Sequence, residues 1–200
     1  MYLSDLELRR TNRGQAEGMV FIGVDLGQRG SHSAMAVLER VEEWPVELAD
    51  VLRGAGPRKR YVLRQVERMM LGTPYREVVQ RLKRMVESVM AIRASCVVVV
   101  DESGAGVPVV EMMREAGLGC GILPYVITSG QHSTPSTVPR AELVTRLQLM
   151  VEREELEIAE GCREREQLER ELVHLKLEGG SGSDDLALAL ALACWKARVR

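Results

Sequence analysis

Four carboxylates stand where chemistry could be done. Asp25 ends the apolar run "MVFIGVD", Asp101 ends "CVVVVD", and Asp184 and Asp185 precede "LALALALACW". Each sits at the polar end of an otherwise apolar element. Three ionised carboxylates about 4 Å apart repel pairwise by about 4 kcal/mol at an effective dielectric of ~20. Such a cluster persists if one group protonates or a cation binds. Oxygen-only ligands, with no His or Cys, favour Mg2+ or Mn2+. Two such ions about 3.5–4 Å apart suit in-line phosphodiester cleavage, one activating water and the other holding the leaving oxygen. Asp25, Asp101 and Asp185 are therefore candidate catalytic ligands, with Asp184 as a further metal ligand.

Every acid also has a structural reading. Asp25 can open the turn at Leu26-Gly27, and Asp101 can close its strand before Ser103-Gly104. Ser183, Asp184 and Asp185 match a helix N-cap followed by first-turn acids. The common placement of the acids is what favours chemistry. Two weaker candidates could touch substrate: His132 in "SGQHSTPST", and Arg140, which opens a helix. His32 and His174 read as surface residues.

The elements that must position these groups follow from periodicity. Residues 19–25 and 33–40 form a hairpin, and 61–69 alternates as a third, partly exposed strand. Residues 42–60, with Pro and Gly, form an irregular connection. From Thr73 the period changes: Val78, Val79, Leu82, Met85, Val86, Val89 and Met90 recur at helical spacing. "CVVVVD" is apolar throughout, as expected of a central parallel strand. A helix over 106–118 closes at Gly117, and "GILPYVIT" is the fifth strand. Helices follow over 138–156, opened by Pro139, and over 163–177, with Leu168, Leu172, Val173 and Leu175 apolar. "LALALALAL" alternates like a strand, but both faces are apolar and alanine favours helix. Residues 184–199 are therefore a buried helix, with alanines letting it lie close on the sheet. The chain is α/β with a mixed sheet. If strands one and four are adjacent and parallel, Asp25 and Asp101 emerge side by side beyond their carboxyl ends.

Composition bounds the rest. The 200 residues and 46% hydrophobic content support one domain, residues 19–200, preceded by an arm or linker at 1–18. A net charge of −2 lacks the basic signature of a DNA-binding domain, so nucleic-acid contact would come from patches such as residues 58–60. The four cysteines form no CxxC pair, which argues against a zinc knuckle; Cys96 and Cys194 read as buried, in a reducing, cytoplasmic compartment. The longest apolar stretch, Leu186 to Trp195, is too short to span a bilayer.

"IGVDLG" resembles the first phosphate motif of the actin, Hsp70 and sugar-kinase ATPases. The turn then continues "QRGSHS", without the Thr-Thr or Gly-Thr pair that grips phosphate, and the chain is too short for that family's two domains. A broader likeness runs from about residue 20 to 197. "FIGVDLGQRGSHSAMAVLER", "LGTPYREVVQRL", "VVVVDESGAGVPVVEMMREAGL", "VITSGQHSTPSTVPRAELVTRLQLMVEREELEI", "REQLERELVHLKL" and "SDDLALALALACW" together resemble the nuclease domain of phage large terminase subunits.

This resemblance implies a ribonuclease H-like fold, sheet order 3-2-1-4-5 with strand 2 antiparallel and helices on both faces. It implies an endonuclease using Mg2+ or Mn2+, two ions, to cut concatemeric viral double-stranded DNA during packaging. A separate packaging ATPase or portal would be its partner, in a phage-infected bacterium or host cell. Asp25 and Asp101 fall on the family's acids, and its "HDDL" falls on Ser183, Asp184, Asp185 and Leu186. Two positions depart from the pattern: Ser183 replaces the His, and Ser31 an acid in the hairpin turn. No GxxxxGK[ST] motif is present. The alternative class is a non-catalytic scaffold of the same fold, its acids retained for capping.

Overall fold

The computed structural model describes residues 18–27, 30–43, 53, 56, 58–92, 95–104, 106–177 and 183–198. The arm expected at 1–18 lies almost wholly outside them, as does most of the connection at 42–60. In chain order the elements are β1 (Met19–Asp25), β2 (Ala34–Glu43), β3 (Arg58–Arg68), α1 (Tyr75–Ile92), β4 (Cys96–Asp101), α2 (Gly106–Glu115), β5 (Gly121–Thr128), β6 (Thr137–Pro139), α3 (Arg140–Glu152), β7 (Leu156–Ile158), α4 (Arg165–His174) and α5 (Asp185–Arg198).

The strands form one sheet in the order β6-β5-β4-β1-β2-β3-β7. Its middle is the expected 3-2-1-4-5. β2 is antiparallel to β1 and β3, while β4 is parallel to β1 and β5. The sheet is two strands wider than expected. The helix expected over 138–156 spans only Arg140–Glu152, and its flanks become strands. β6 pairs with β5 and β7 with β3, both in parallel. Residues 58–60, expected in an irregular connection, are the first residues of β3 and pair with 41–43 of β2. Arg58 and Lys59 are exposed, whereas Arg60 pairs with Glu157 of β7 at 3.0 Å.

Strand alternation divides the core between the two faces. Val20, Ile22, Val24, Met35, Val37, Val98 and Val100 pack against α1 and α2. Phe21, Ala34, Ala36, Leu38, Val97 and Val99 pack against α3, α4 and α5. α5 is buried nearly all round, so its Leu/Ala alternation marks a core helix and not a strand. Two expected core positions face water: Met90 on α1 is 38% exposed and Val173 on α4 is 81% exposed. Cys194 is buried as expected, but Cys96 is only partly so. Among the described residues no helix is long and apolar enough to cross a membrane.

Candidate functional site

The pairing of β1 with β4 places Val24 opposite Val100, so Asp25 and Asp101 end adjacent parallel strands side by side. Alternation turns Asp25 to the side of Phe21, and Asp101 to the side of Val97 and Val99, which is the α5 face. α5 reaches these acids because Gly23 has no side chain. A Cβ there would lie 1.9 Å from the carbonyl oxygen of Ala189. From Ala189 back to Asp185 the helix spans about 6 Å. From Gly23 to Asp25 the strand advances about 6.6 Å. The start of α5 is thus level with the strand ends.

The electrostatics of Asp25 follow from this placement. Burial, then repulsion from Asp101, Asp185 and Asp184 in that order, holds the Asp25 carboxyl well above the usual carboxylate range; Arg140 partly opposes this. Asp25 is 8% exposed and Asp185 6% exposed. Groups from β1, β4, the start of α3 and the start of α5 therefore act on one carboxyl.

The neighbouring acids are held through one oxygen each. Asp101 Oδ1 accepts hydrogen bonds from the Ser103 backbone N–H (2.9 Å), the Ser103 hydroxyl (2.5 Å) and the Ile127 N–H of β5 (3.4 Å). Asp185 Oδ2 accepts from the Ser183 hydroxyl at 2.6 Å and lies 3.6 Å from Arg68 Nε. Asp184 pairs with Arg140, whose Nε also donates to the Lys176 carbonyl at 3.3 Å. Arg140, expected as a substrate contact, is thus engaged with an acid of the same cluster.

Two groups that the sequence reading missed organise this corner. Arg68, the last residue of β3, forms an ion pair with Glu171 of α4. Glu171 is 4% exposed, and its other oxygen accepts the Ala187 N–H in the first turn of α5 at 3.0 Å. The Arg68–Glu171 pair therefore ties β3 and α4 to the helix start that carries Asp185. Arg68→Gln would leave Glu171 as an uncompensated buried charge. The expected loss is about 3–5 kcal/mol of stability, read from urea unfolding.

The other expected residues are placed less centrally. His132 is exposed in the loop before β6 and is not among the groups acting on Asp25. His32, expected at the surface, is half-buried and its Nδ1 lies 2.9 Å from the Met69 carbonyl. The turn after Asp25 is fixed by the Tyr75 hydroxyl donating to the Gly27 carbonyl (2.8 Å) and the Gly27 N–H donating to Ser33 (3.0 Å). Ser31 is exposed in that turn.

Chemically, the cluster is an oxygen-only donor set built around a buried carboxyl that its neighbours repel. Carboxylate oxygens such as those of Asp25, Asp101, Asp185 and Asp184 are the donor type that hard divalent cations take. Among the described residues no group of three or more histidine, cysteine or acidic side chains stands close enough to hold a metal ion.

No family model and no curated protein matches this chain by sequence. Solved structures do match its fold. The large terminase nuclease from thermophilic phage G20c is 20% identical, with a TM-score of 0.59 over 92% of this chain and 83% of that one. The Mn-soaked human cytomegalovirus terminase nuclease domain is 14% identical, with a TM-score of 0.62 over 96% of this chain and 91% of that one. The nuclease domain of the large terminase subunit of bacterial virus Sf6, in a variant form with manganese and beta-thujaplicinol, is 18% identical, with a TM-score of 0.51 over 90% and 89%. Their likeness, with the observed strand order, shows that this chain has the ribonuclease H-like fold of the large terminase nuclease domains.

Proposed function

We propose that the protein is a divalent-metal-dependent DNA endonuclease of the terminase type, which cuts concatemeric viral double-stranded DNA during genome packaging. The observation that carries this reading is that Asp25 and Asp101 end adjacent parallel strands, with α5 packed closely enough on Gly23 to set Asp184 and Asp185 level with them. Manganese in two of the structural relatives supports the same reading.

Asp25 and Asp101 would hold one side of a two-ion centre, with Asp185 completing it and Asp184 beside it. The bound ions would activate water and neutralise charge developing on the scissile phosphate. The chain's own groups prepare this arrangement. Ser103 and the Ile127 N–H fix Asp101 by one oxygen, and Ser183 with Arg68 fixes Asp185 by one oxygen. The remaining oxygens can then turn to a shared cation. Ser183 thus takes a supporting role at the position where the family pattern has His. Ser183→Ala should weaken Mn2+ binding about 10-fold, measured by calorimetry.

The net charge of −2 suits a nuclease to which a separate packaging ATPase or portal delivers DNA. The decisive test is nicking of supercoiled plasmid with Mn2+, with and without chelator, beside Asp101→Asn and Asp185→Asn. The proposal expects nicking that chelator and both substitutions abolish.

A second reading has its own observation. Asp184 and Asp185 already face arginines, Arg140 and Arg68. A ribonuclease H-like scaffold that uses these acids only to join α5 to its neighbours predicts neither nicking nor Mn2+ binding.

A further inference from the structure

Two cysteines stand at the starts of neighbouring strands, at the end of the sheet remote from the acids. Cys96 is the first residue of β4, and Cys120 immediately precedes β5. These strands are parallel with Val97 opposite Gly121, so one step back sets residue 96 opposite residue 120. Both side chains pack on the α1/α2 face and both are partly accessible. Asp101 lies at the far end of β4 and faces the other side.

The register sets the two cysteines side by side, and their environments differ. A hydrogen bond from the Cys96 thiol pulls Cys120 below the ordinary thiol range; burial opposes this, and the Val98 backbone adds a further hydrogen bond that lowers it. The same contact, followed by burial, pushes Cys96 far up. Of the two, Cys120 is the more readily ionised and Cys96 the one that keeps its proton longer. Cys120 also has room to adjust. It lies in a bend after Gly119, whose φ is +77°, outside the strand ladder. Disulfide formation needs the Cβ atoms at about 3.5–4.5 Å.

We propose that Cys96 and Cys120 form a dithiol modification site that low-molecular-weight disulfides convert to an intramolecular disulfide. The Cys120 thiolate attacks one sulfur of the oxidant. A mixed disulfide forms and one small thiolate leaves. Cys96 then loses its proton and attacks the Cys120 sulfur of that mixed disulfide, releasing the second small thiol. Two cysteine thiols are oxidised and one small disulfide is reduced to two thiols. The product staples β4 to β5 and closes a loop over residues 96–120 that contains α2, while the acidic end of β4 is untouched. The site is independent of the nuclease reading.

The test uses the full chain and oxidised glutathione at mildly alkaline pH, followed by unreduced peptide mapping and thermal unfolding. The expected map joins the peptides carrying Cys96 and Cys120, with a mass loss of two hydrogens. Tm should rise by about 5–10 °C, and reductant should reverse it. Cys96→Ser and Cys120→Ser should each abolish the cross-link and the rise. Cys162 and Cys194 are buried and should remain reduced. A persistent glutathione adduct on Cys120, a link to Cys162 or Cys194, or an intermolecular dimer would overturn the proposal; the wild-type map decides this even if a variant folds poorly.

Discussion

Replacing Gly23 by alanine should destabilise the protein by about 3 kcal/mol or more and separate Asp185 from Asp25. The added Cβ would stand 1.9 Å from the Ala189 carbonyl oxygen, 2.9 Å from its carbon and 3.0 Å from the Ala193 nitrogen. All three are backbone atoms of α5, so no side-chain rotation relieves the overlap. The helix must move away from β1, opening a core whose α5 residues are almost all buried. Asp185 rides on the first turn of that helix. The variant should therefore lose more than overall stability. Any population that remains folded should show no Mn2+-induced rise in Tm, whereas the wild type should show one. A thermal melt with and without Mn2+ reads both effects. A stable variant that still responds to Mn2+ would mean that α5 does not depend on this contact.

Asp25→Asn has effects of opposite sign on stability and activity. Asp25 is buried, and Asp101, Asp185 and Asp184 repel its charge, so its carboxyl ionises only well above the usual range. Below about pH 3.9 the group is protonated in both folded and unfolded chains, and its contribution to stability is fully present. As pH rises, the unfolded chain releases its proton first while the folded one keeps it. Stability from this group is then lost up through the raised native value. At neutral pH the metal-free wild type therefore carries a penalty that the asparagine variant lacks. The asparagine variant should be more stable there, by about 2–4 °C in Tm for each kcal/mol of repulsion relieved. The difference between the two should vanish at acid pH. With Mn2+ the order should reverse, because only the wild type retains this ligand. Plasmid nicking by the variant should fall by more than about 100-fold. Parallel melts across pH, with and without Mn2+, check the stability claims.

The five central strands were legible because their patterns are long. Cys96–Asp101 is continuously apolar and Gly121–Thr128 is bounded by turn residues. β6 and β7 were not legible, since three residues cannot establish an alternation. Thr137–Pro139 and Leu156–Ile158 become strands only because β5 and β3 offer open edges. The positions of the acids in the fold were legible for the same reason as the strands: Asp25 and Asp101 end apolar runs, and Asp185 opens one. Their partners were hidden by distance along the chain, with Arg68 lying 103 residues from Glu171. Glu171 sits in the charged segment "REREQLEREL", where a carboxylate is ordinarily solvated. A closer signal existed: it falls three residues after Leu168 and four before Leu175, both buried, and so shares their helical face. Val173 lies off that stripe, which explains its exposure.

Manganese anomalous diffraction from crystals of the full chain tests the central claim most directly. The account predicts density between the Asp25, Asp101 and Asp185 carboxylates, with metal–oxygen distances of about 2.0–2.2 Å, the range of hard-cation sites. Manganese bound elsewhere, or none there at saturating concentration with Arg68 and Ser183 still holding Asp185, would contradict it.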